Sequence, residues 1–517
     1  MSFLRRLAAG GPACLDPGGW PAPPADEAEI LEMVLDSVRR FRDEGLDGAR
    51  HDRESALAPG VLDGLRELGL FGLIFPEEYG GLGLGMRAYV HVFECLSWEC
   101  VSTPTLLGGH LSLCGRGLLL YGTEEQKARW LPAMAAGERI GAFALSEAGA
   151  GSDFRSLATR AVREEGGWRL HGTKLWITNG REAGLFLVFA RIEAAEGNLG
   201  AFLVPREAEG LGVGRPEEKM GLHASSTTPL ELDGVFVPEA DLLGRPGQGF
   251  EIAVRILNRG RAGWSGACLG ASARALHEAL EHARQRVQYG QPILRFGMIR
   301  EYLAAMAAEL ASVRALAELV AGWTDAGEED LVLESAALKI LATEVNGRIA
   351  DLALQIAGGN GFSREYPYER ILRDARVSRI FEGTNEVLRM LLARQFAAAV
   401  PEDPGPAPAA AEGPGERLEQ DAARLRRLTA SARRLHGEAF RFAEHDHRRI
   451  ADGLLHLAAR AALLARRHAE PAAEAPAVVD HALALHERAF EAVVQEAEEP
   501  LDASAEAAAA ALEAGGA

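Results

Sequence analysis

The chain has 517 residues and a formal net charge of −19. Its length allows roughly two to four domains, and 48% hydrophobic with 25% charged residues is the balance of a globular protein. Such acidity argues against binding nucleic acid, or an anionic membrane, across the whole surface.

The first residues, "MSFLRRLAAGGPACL", carry two arginines but no apolar core of signal-peptide length. No run of about 18 apolar residues suggests a membrane span, so a cytoplasmic location is expected. Five cysteines without CxxC spacing (Cys14, Cys95, Cys100, Cys114, Cys268) read as free thiols of a reducing compartment. His445 and His447 lie in a charge-rich helical stretch, and no metal site is read there.

Residues 25–138 repeat apolar positions at helical spacing, as in "EILEMVLDSVRRF". "PEEYGGLGLG" lacks GxGxxG spacing and reads as a loop rather than a dinucleotide site. Residues 139–242 change texture to short alternating runs such as "LFLVFA" and "GAFLVP", which predict an antiparallel β domain. Helical spacing returns over residues 243–400. A Pro/Gly/Ala-rich linker is read at 401–416 and an extra helical region at 417–512. The extra region is Arg-rich first and acidic later, which predicts two antiparallel helices with complementary faces. Its last residues are expected to fray.

Three stretches carry chemistry. In "ALSEAGAGSDFRS", residues 144–156, small side chains open the backbone to a ligand and Ser146 and Ser152 offer hydroxyls. A turn with Asp153 as cap is the equal alternative. In "KLWITNG", Trp176 and Thr178 share a strand face, suited either to a flat aromatic ligand or to the core. In "QIAGGNGFSREYPYERILRDAR", a helix carrying Gln355 stops at Gly358 and Gly359. These glycines suit a phosphate or a plain helix C-cap, and Arg370 and Asp374 are spaced for a helical pair.

In this order, with "RVQYGQPI" and "FEGT" between and after them, the stretches resemble the signatures of the acyl-CoA dehydrogenases. The resemblance covers roughly residues 30 to 400. "ILNRGRAG" and "RIFEGTNEVLRMLLA" are most similar to the very-long-chain branch, which also carries a C-terminal helical extension. It implies an α+β fold: an N-terminal helical domain, a β-barrel-like middle domain, a four-helix-type domain and the extension. The implied reaction is FAD-dependent oxidation of an acyl-CoA thioester to its trans-2-enoyl form, with electrons passed to an electron-transferring flavoprotein. Two alternatives share the fold: an acyl-CoA oxidase using O₂, and a non-enzymatic flavoprotein that binds nucleic acid or assists assembly.

The resemblance also assigns residues. Glu382 is the base that takes the α proton, and Gly260 stands where other branches place theirs. FAD contacts fall on Phe143, Leu145, Ser146 and Ser152, then on Trp176 and Thr178, and after the base on Thr384 and Glu386. Arg286, Gln288, Gln355, Gly358 and Gly359 match contacts made to the FAD of a neighbouring subunit, which implies a homodimer. Gly297 replaces a glutamine contact. Substrate contacts fall on Ser152, Asn258, Arg261, Phe381 and Gly383. Gly117, with Cys114 where long-chain relatives have a second glycine, implies a medium-to-long acyl pocket. The Arg-rich extension suits peripheral membrane contact, and Thr384 or Asn385 is placed to cap the helix that follows.

Overall fold

The computed structural model describes residues 2–13, 20–21, 25–192, 199–405, 413–470 and 473–498. Cys14, linker residues 406–412 and the tail from 499 lie outside them.

Helices α1 (Phe3–Ala8), α2 (Ala25–Gly45), α3 (Gly48–Glu54) and α4 (Pro59–Glu67) open the chain, followed by α5 (Met86–Ser97), α6 (Ser102–Gly108), α7 (Arg116–Tyr121) and α8 (Glu124–Ala135). A π-helical turn, Gly109–Gly115, joins α6 to α7. The start of α8 shows how sequence fixes an element. Thr123 and Gln126 cap each other's backbone N–H groups. The same Gln126 donates to the carbonyls of Ala240 and Leu242 at 2.8 and 2.9 Å, locking the helical layer to the sheet.

The sheet contains β1 (Ile140–Ala144), β2 (Arg160–Glu164), β3 (Gly167–Thr178), β4 (Ala183–Ile192), β5 (Leu199–Pro205), β6 (Leu211–Val213), β7 (Thr227–Pro238) and β8 (Leu242–Leu243). Its path runs β6-β7-β3-β2-β4-β5-β8, with β1 on β4. The antiparallel expectation holds for most pairs but fails at β4, where β1 and β2 both pair in parallel. They lie end to end along one edge of β4 because β5 occupies the other. The chain must therefore leave the sheet after Ala144 and return at Arg160, and loop 145–159 stands clear. Alternation along β4 feeds two cores. Leu185, Leu187 and Phe189 join the main core, while Phe186, Val188 and Ala190 fill the middle domain.

The second helical layer holds α9 (Gly249–Gln285), α10 (Gly297–Asp325), α11 (Val332–Ala357), α12 (Gly359–Phe362), α13 (Tyr368–Arg376) and α14 (Asn385–Ala399). Gly263, Gly266 and Gly270 let α9 close on α5. A Cβ at the last two would run into the carbonyls of Val90 and Glu94. Arg370 and Asp374 lie a turn apart on α13, but each serves another element. Arg370 donates to the Glu99 carbonyl at 2.8 Å, and Asp374 accepts from the Leu222 N–H at 2.6 Å.

The extension has three helices where two were expected: α15 (Pro414–His436), α16 (Glu444–Ala469) and α17 (Pro476–Glu498). The linker is shorter than read, since residues 414–416 already belong to α15. The complementary faces are real: Arg417 pairs with Glu487, Arg424 with Glu491 and Arg467 with Asp480. Helix α16 packs on α10 and α14, and α17 on α10. His447 is buried edge-on to Phe440. Among the described residues no cluster of three or more His, Cys, Asp or Glu is placed to hold a metal. No helix among them is long and apolar enough to cross a membrane. Cys95, Cys100, Cys114 and Cys268 are free and buried.

Candidate active site

A cavity of about 200 Å³ lies between loop 145–159, the end of β3, the π-helical turn, α9 and residues 381–387. A larger one, about 560 Å³, opens beside the start of α4, but no residue marked by the sequence lines it. The smaller cavity gathers Phe143, Leu145, Ser146, Ser152, Trp176, Thr178, Arg261, Phe381, Glu382 and Gly383.

Loop 145–159 is rigidly built despite its small residues. Glu147 accepts from Lys174 Nζ at 2.7 Å and from the N–H groups of Ala158 and Thr159 at 2.6 and 3.1 Å. Lys174 also donates to the Leu145 carbonyl. Against the upward push of burial, Lys174 and these N–H groups hold the Glu147 carboxyl below its usual range. Burial lowers Lys174 itself to about 8. Both ends of the loop are thereby tied to β3, and Ser146 and Ser152 face the cavity. Asp153 precedes a short 3₁₀ turn but does not cap it; its carboxylate accepts from the Ser156 hydroxyl at 2.6 Å.

Trp176 is not a core residue, being 60% exposed. A register shift in β3 between Lys174 and Ile177 and a φ of 63° turn its indole out over the cavity mouth. That conformation is strained for an aromatic residue. Asn179, just past the end of β3, donates to the carbonyls of Leu106 and Gly141 and so fixes Thr178 against α6.

The segment 381–384 is the second anomaly. Glu382 and Gly383 both have left-handed backbones, φ 55° and 94°. Two cations hold their carbonyls: Arg261 Nε donates to Glu382 O at 3.0 Å and Lys339 Nζ to Gly383 O at 2.9 Å. The Glu382 N–H finds no acceptor among the described residues. Its carboxylate Oε2 is shielded and unpaired. Burial raises the Glu382 carboxyl, and Lys339 and Arg261 only partly oppose this. Phe381 packs edge-on to Trp264 at 4.9 Å, keeping this side apolar. Thr384 caps α14, its hydroxyl accepting from Val387 N–H at 3.3 Å.

The other expected residues lie elsewhere. Asn258 is spent on Arg261, accepting from its Nη1. Glu386 is exposed in the first turn of α14. Arg286 and Gln288 follow the end of α9, and Gln355, Gly358 and Gly359 sit at the end of α11; all are exposed and none lines the cavity. The acyl-pocket reading also changes. Cys114 packs against Gly141 and Gly117 against Leu187 and Ile256, both behind the wall. On the helical side the glycines that line the cavity are Gly108 and Gly109, with Leu113.

Sequence reasoning missed the Glu147–Lys174 pair, Trp264 and Lys339. Lys339 had a visible signal, a lone lysine inside the apolar run "AALKILA". The pairing of Glu147 had none, because it spans two elements.

Family models for the acyl-CoA dehydrogenase N-terminal, middle and C-terminal domains match residues 28–138, 142–235 and 247–397. The chain belongs to the acyl-CoA dehydrogenase family. It is 39% identical to the mouse very long-chain specific acyl-CoA dehydrogenase over 379 residues, 72% of this chain and 58% of that protein. It is 38% identical to the human short-chain specific enzyme, over 71% of this chain and 89% of that one. A solved acyl-CoA dehydrogenase from Bacillus anthracis, complexed with FAD, superposes with a TM-score of 0.84 at 28% identity, covering 96% of this chain and 92% of that one. The extension is thus part of a shared architecture.

Proposed function

We propose that the protein is an acyl-CoA dehydrogenase that uses FAD to convert a medium-to-long-chain acyl-CoA into its trans-2-enoyl form. The observation that carries this is the Glu382 carboxylate: shielded, unpaired and facing a cavity with an apolar wall. Desolvation makes a carboxylate a stronger base, which a carbon acid requires.

The residues present fit FAD. Ser146, Gly151 and Ser152 leave backbone and hydroxyls open at the cavity, and the outward Trp176 with Thr178 offers a flat wall. Bound there, FAD supplies the two-electron acceptor that side chains lack. Glu382 takes the α proton. Arg261 and Lys339 fix the carbonyls of Glu382 and Gly383, and the Glu382 N–H, which has no acceptor among the described residues, polarises the thioester oxygen as charge develops there. Phe381 and Trp264 exclude water from the carboxylate.

The match to very-long-chain and short-chain relatives is nearly equal, so overall similarity does not choose a chain length. The cavity favours the longer side: Gly108 and Gly109 leave its wall bare, and a Cβ at Gly108 would meet only ordinary contacts with Phe93 and Tyr89. Gly108→Leu should therefore cut activity on long chains more than on short ones, in a panel of acyl-CoAs.

Three partner assignments accompany this reading. A second copy brings Arg286, Gln288, Gln355, Gly358 and Gly359 to the cofactor, which accounts for their exposure away from the cavity. An electron-transferring flavoprotein takes the electrons, as the family resemblance implies. Exposed Leu435 and Phe442, near Arg434 and Arg441, support peripheral membrane contact by the extension. The buried free thiols agree with a cytoplasmic setting.

The test is anaerobic titration with acyl-CoAs, following flavin bleaching and enoyl-CoA formation. Glu382→Gln should bleach about 10³-fold more slowly, the middle of the range for a general base. Normal bleaching in that variant refutes the base assignment. Rapid turnover with O₂ alone makes the protein an oxidase instead.

A further inference from the structure

Lys339, in the second turn of α11, is 1% exposed. A buried ammonium is costly unless each of its protons is used. It donates to the Gly383 carbonyl and to Asn385 Oδ1, both at 2.9 Å. Asn385 in turn donates to Thr343 Oγ1 and to Glu344 Oε1, both at 3.1 Å. Glu344 is gripped by both terminal nitrogens of Arg389, at 2.6 and 3.0 Å. The remaining donor of Arg389, Nε, reaches Asp452 Oδ1 at 2.7 Å. Asp452 belongs to α16, in the extension.

We infer that the C-terminal extension sets the geometry of the catalytic segment through this chain of contacts: Asp452 orients Arg389, and Glu344, Asn385 and Lys339 carry the constraint to Gly383. The inference rests on the reading of Glu382 as the base. Lys339 is then a positioning residue, since the atom it holds is the carbonyl next to Glu382 and not the reacting carbon.

The physical case has two parts. First, two consecutive left-handed residues, one of them a glutamate, do not hold that shape alone. Arg261 fixes the first carbonyl and Lys339 the second, so the course of the backbone through Glu382 and Gly383, and with it the placement of the Glu382 side chain, depends on both. Second, every link is charge-assisted or doubly bonded, and each link is mostly buried. Planar guanidinium–carboxylate pairing makes the Glu344–Arg389 step directional. On this side α16 also meets α17. His456, one turn beyond Asp452, meets His486 at 3.0 Å between Nδ1 atoms. Burial, with Arg348, Arg460 and Arg389 nearby, lowers His456 to about 4, so it adds no competing cation beside Arg389.

The experiment uses the full chain loaded with FAD. Asp452→Asn removes the charge at the far end without touching the cavity. Its kcat should fall about tenfold, the effect of roughly 1.4 kcal/mol on the barrier, with KM unchanged. The isotope effect with α-deuterated acyl-CoA should grow, because proton removal becomes more limiting. Asp452→Glu should restore most of the rate. Lys339→Met should lose at least as much kcat, and the double variant should be no worse than Lys339→Met alone, as for residues in one network.

Arg433→Met is the control. Arg433 also ties the extension to α14, donating to the Ala397 and Val400 carbonyls. Its loss should lower Tm and leave kcat as it was. A wild-type kcat and isotope effect in Asp452→Asn, with Glu382→Gln inert, overturns the inference alone. So does a kcat loss equal in Arg433→Met and Asp452→Asn, which makes the extension a general brace. Normal bleaching in Glu382→Gln removes the base reading instead.

Discussion

Two loops border the same cavity, and each carries a carboxylate away from bulk water. Glu147 has a lysine and two backbone N–H groups. Glu382 has an unpaired oxygen, with its nearest cations turned to carbonyls instead. One acid is held below its usual range and the other pushed above it. The difference separates architecture from chemistry: a satisfied carboxylate fixes a loop, and an unsatisfied one is stored reactivity.

The comparison can be broken first through stability. Lys174→Met leaves the buried Glu147 charge with only its two backbone N–H donors and no counter-charge, and should cost about 3–5 kcal/mol. Urea unfolding and flavin retention measure it, and an unchanged midpoint would show that the pair is not what holds the loop. Glu382→Gln should act in the opposite direction, raising stability by about 1 kcal/mol as a buried charge is removed. A melting temperature below wild type would mean that the carboxylate has a structural partner after all.

Gly383→Ala tests the segment's shape. A Cβ there would have ordinary space beside Arg261 and Leu388. The cost is therefore conformational, from a φ of 94°, and should be about 1 kcal/mol. A neutral result would show that the left-handed turn relaxes without loss.

The smallest effects lie in the pH dependence, and the two acids have opposite signs. Glu147's contribution is present above its unfolded value, about 4.3, and is lost as pH falls through its lower folded value. Glu382 instead costs stability as pH rises from that unfolded value through its raised folded value. Glu147→Gln should flatten the acid limb of stability, and Glu382→Gln should lessen the loss towards neutral pH. Identical pH profiles for the two variants would erase the distinction.

Much of this site was legible in the sequence because its parts are local. Ser146, Trp176, Glu382 and the Thr384 cap sit in short stretches whose small, aromatic or acidic residues stand out from the periodic background. The helical and strand textures followed from apolar spacing. What escaped was set by contacts between distant segments. The parallel pairing of β1 and β2 with β4 depends on which edge β5 occupies. The use of Gly108 and Gly109, rather than Cys114 and Gly117, depends on which side of a π-helical turn faces the cavity. The Arg-rich extension showed its charge but not that Asp452 would meet Arg389.

The most direct test of the account is single-turnover bleaching by acyl-CoA in Glu382→Gln and Glu147→Gln, compared at matched flavin content. Once flavin is bound, Glu147→Gln should bleach at close to the wild-type rate, and Glu382→Gln about 10³-fold more slowly. Equal rates in the two variants, or a slower rate in Glu147→Gln, would contradict the division between the carboxylate that builds the site and the one that works in it.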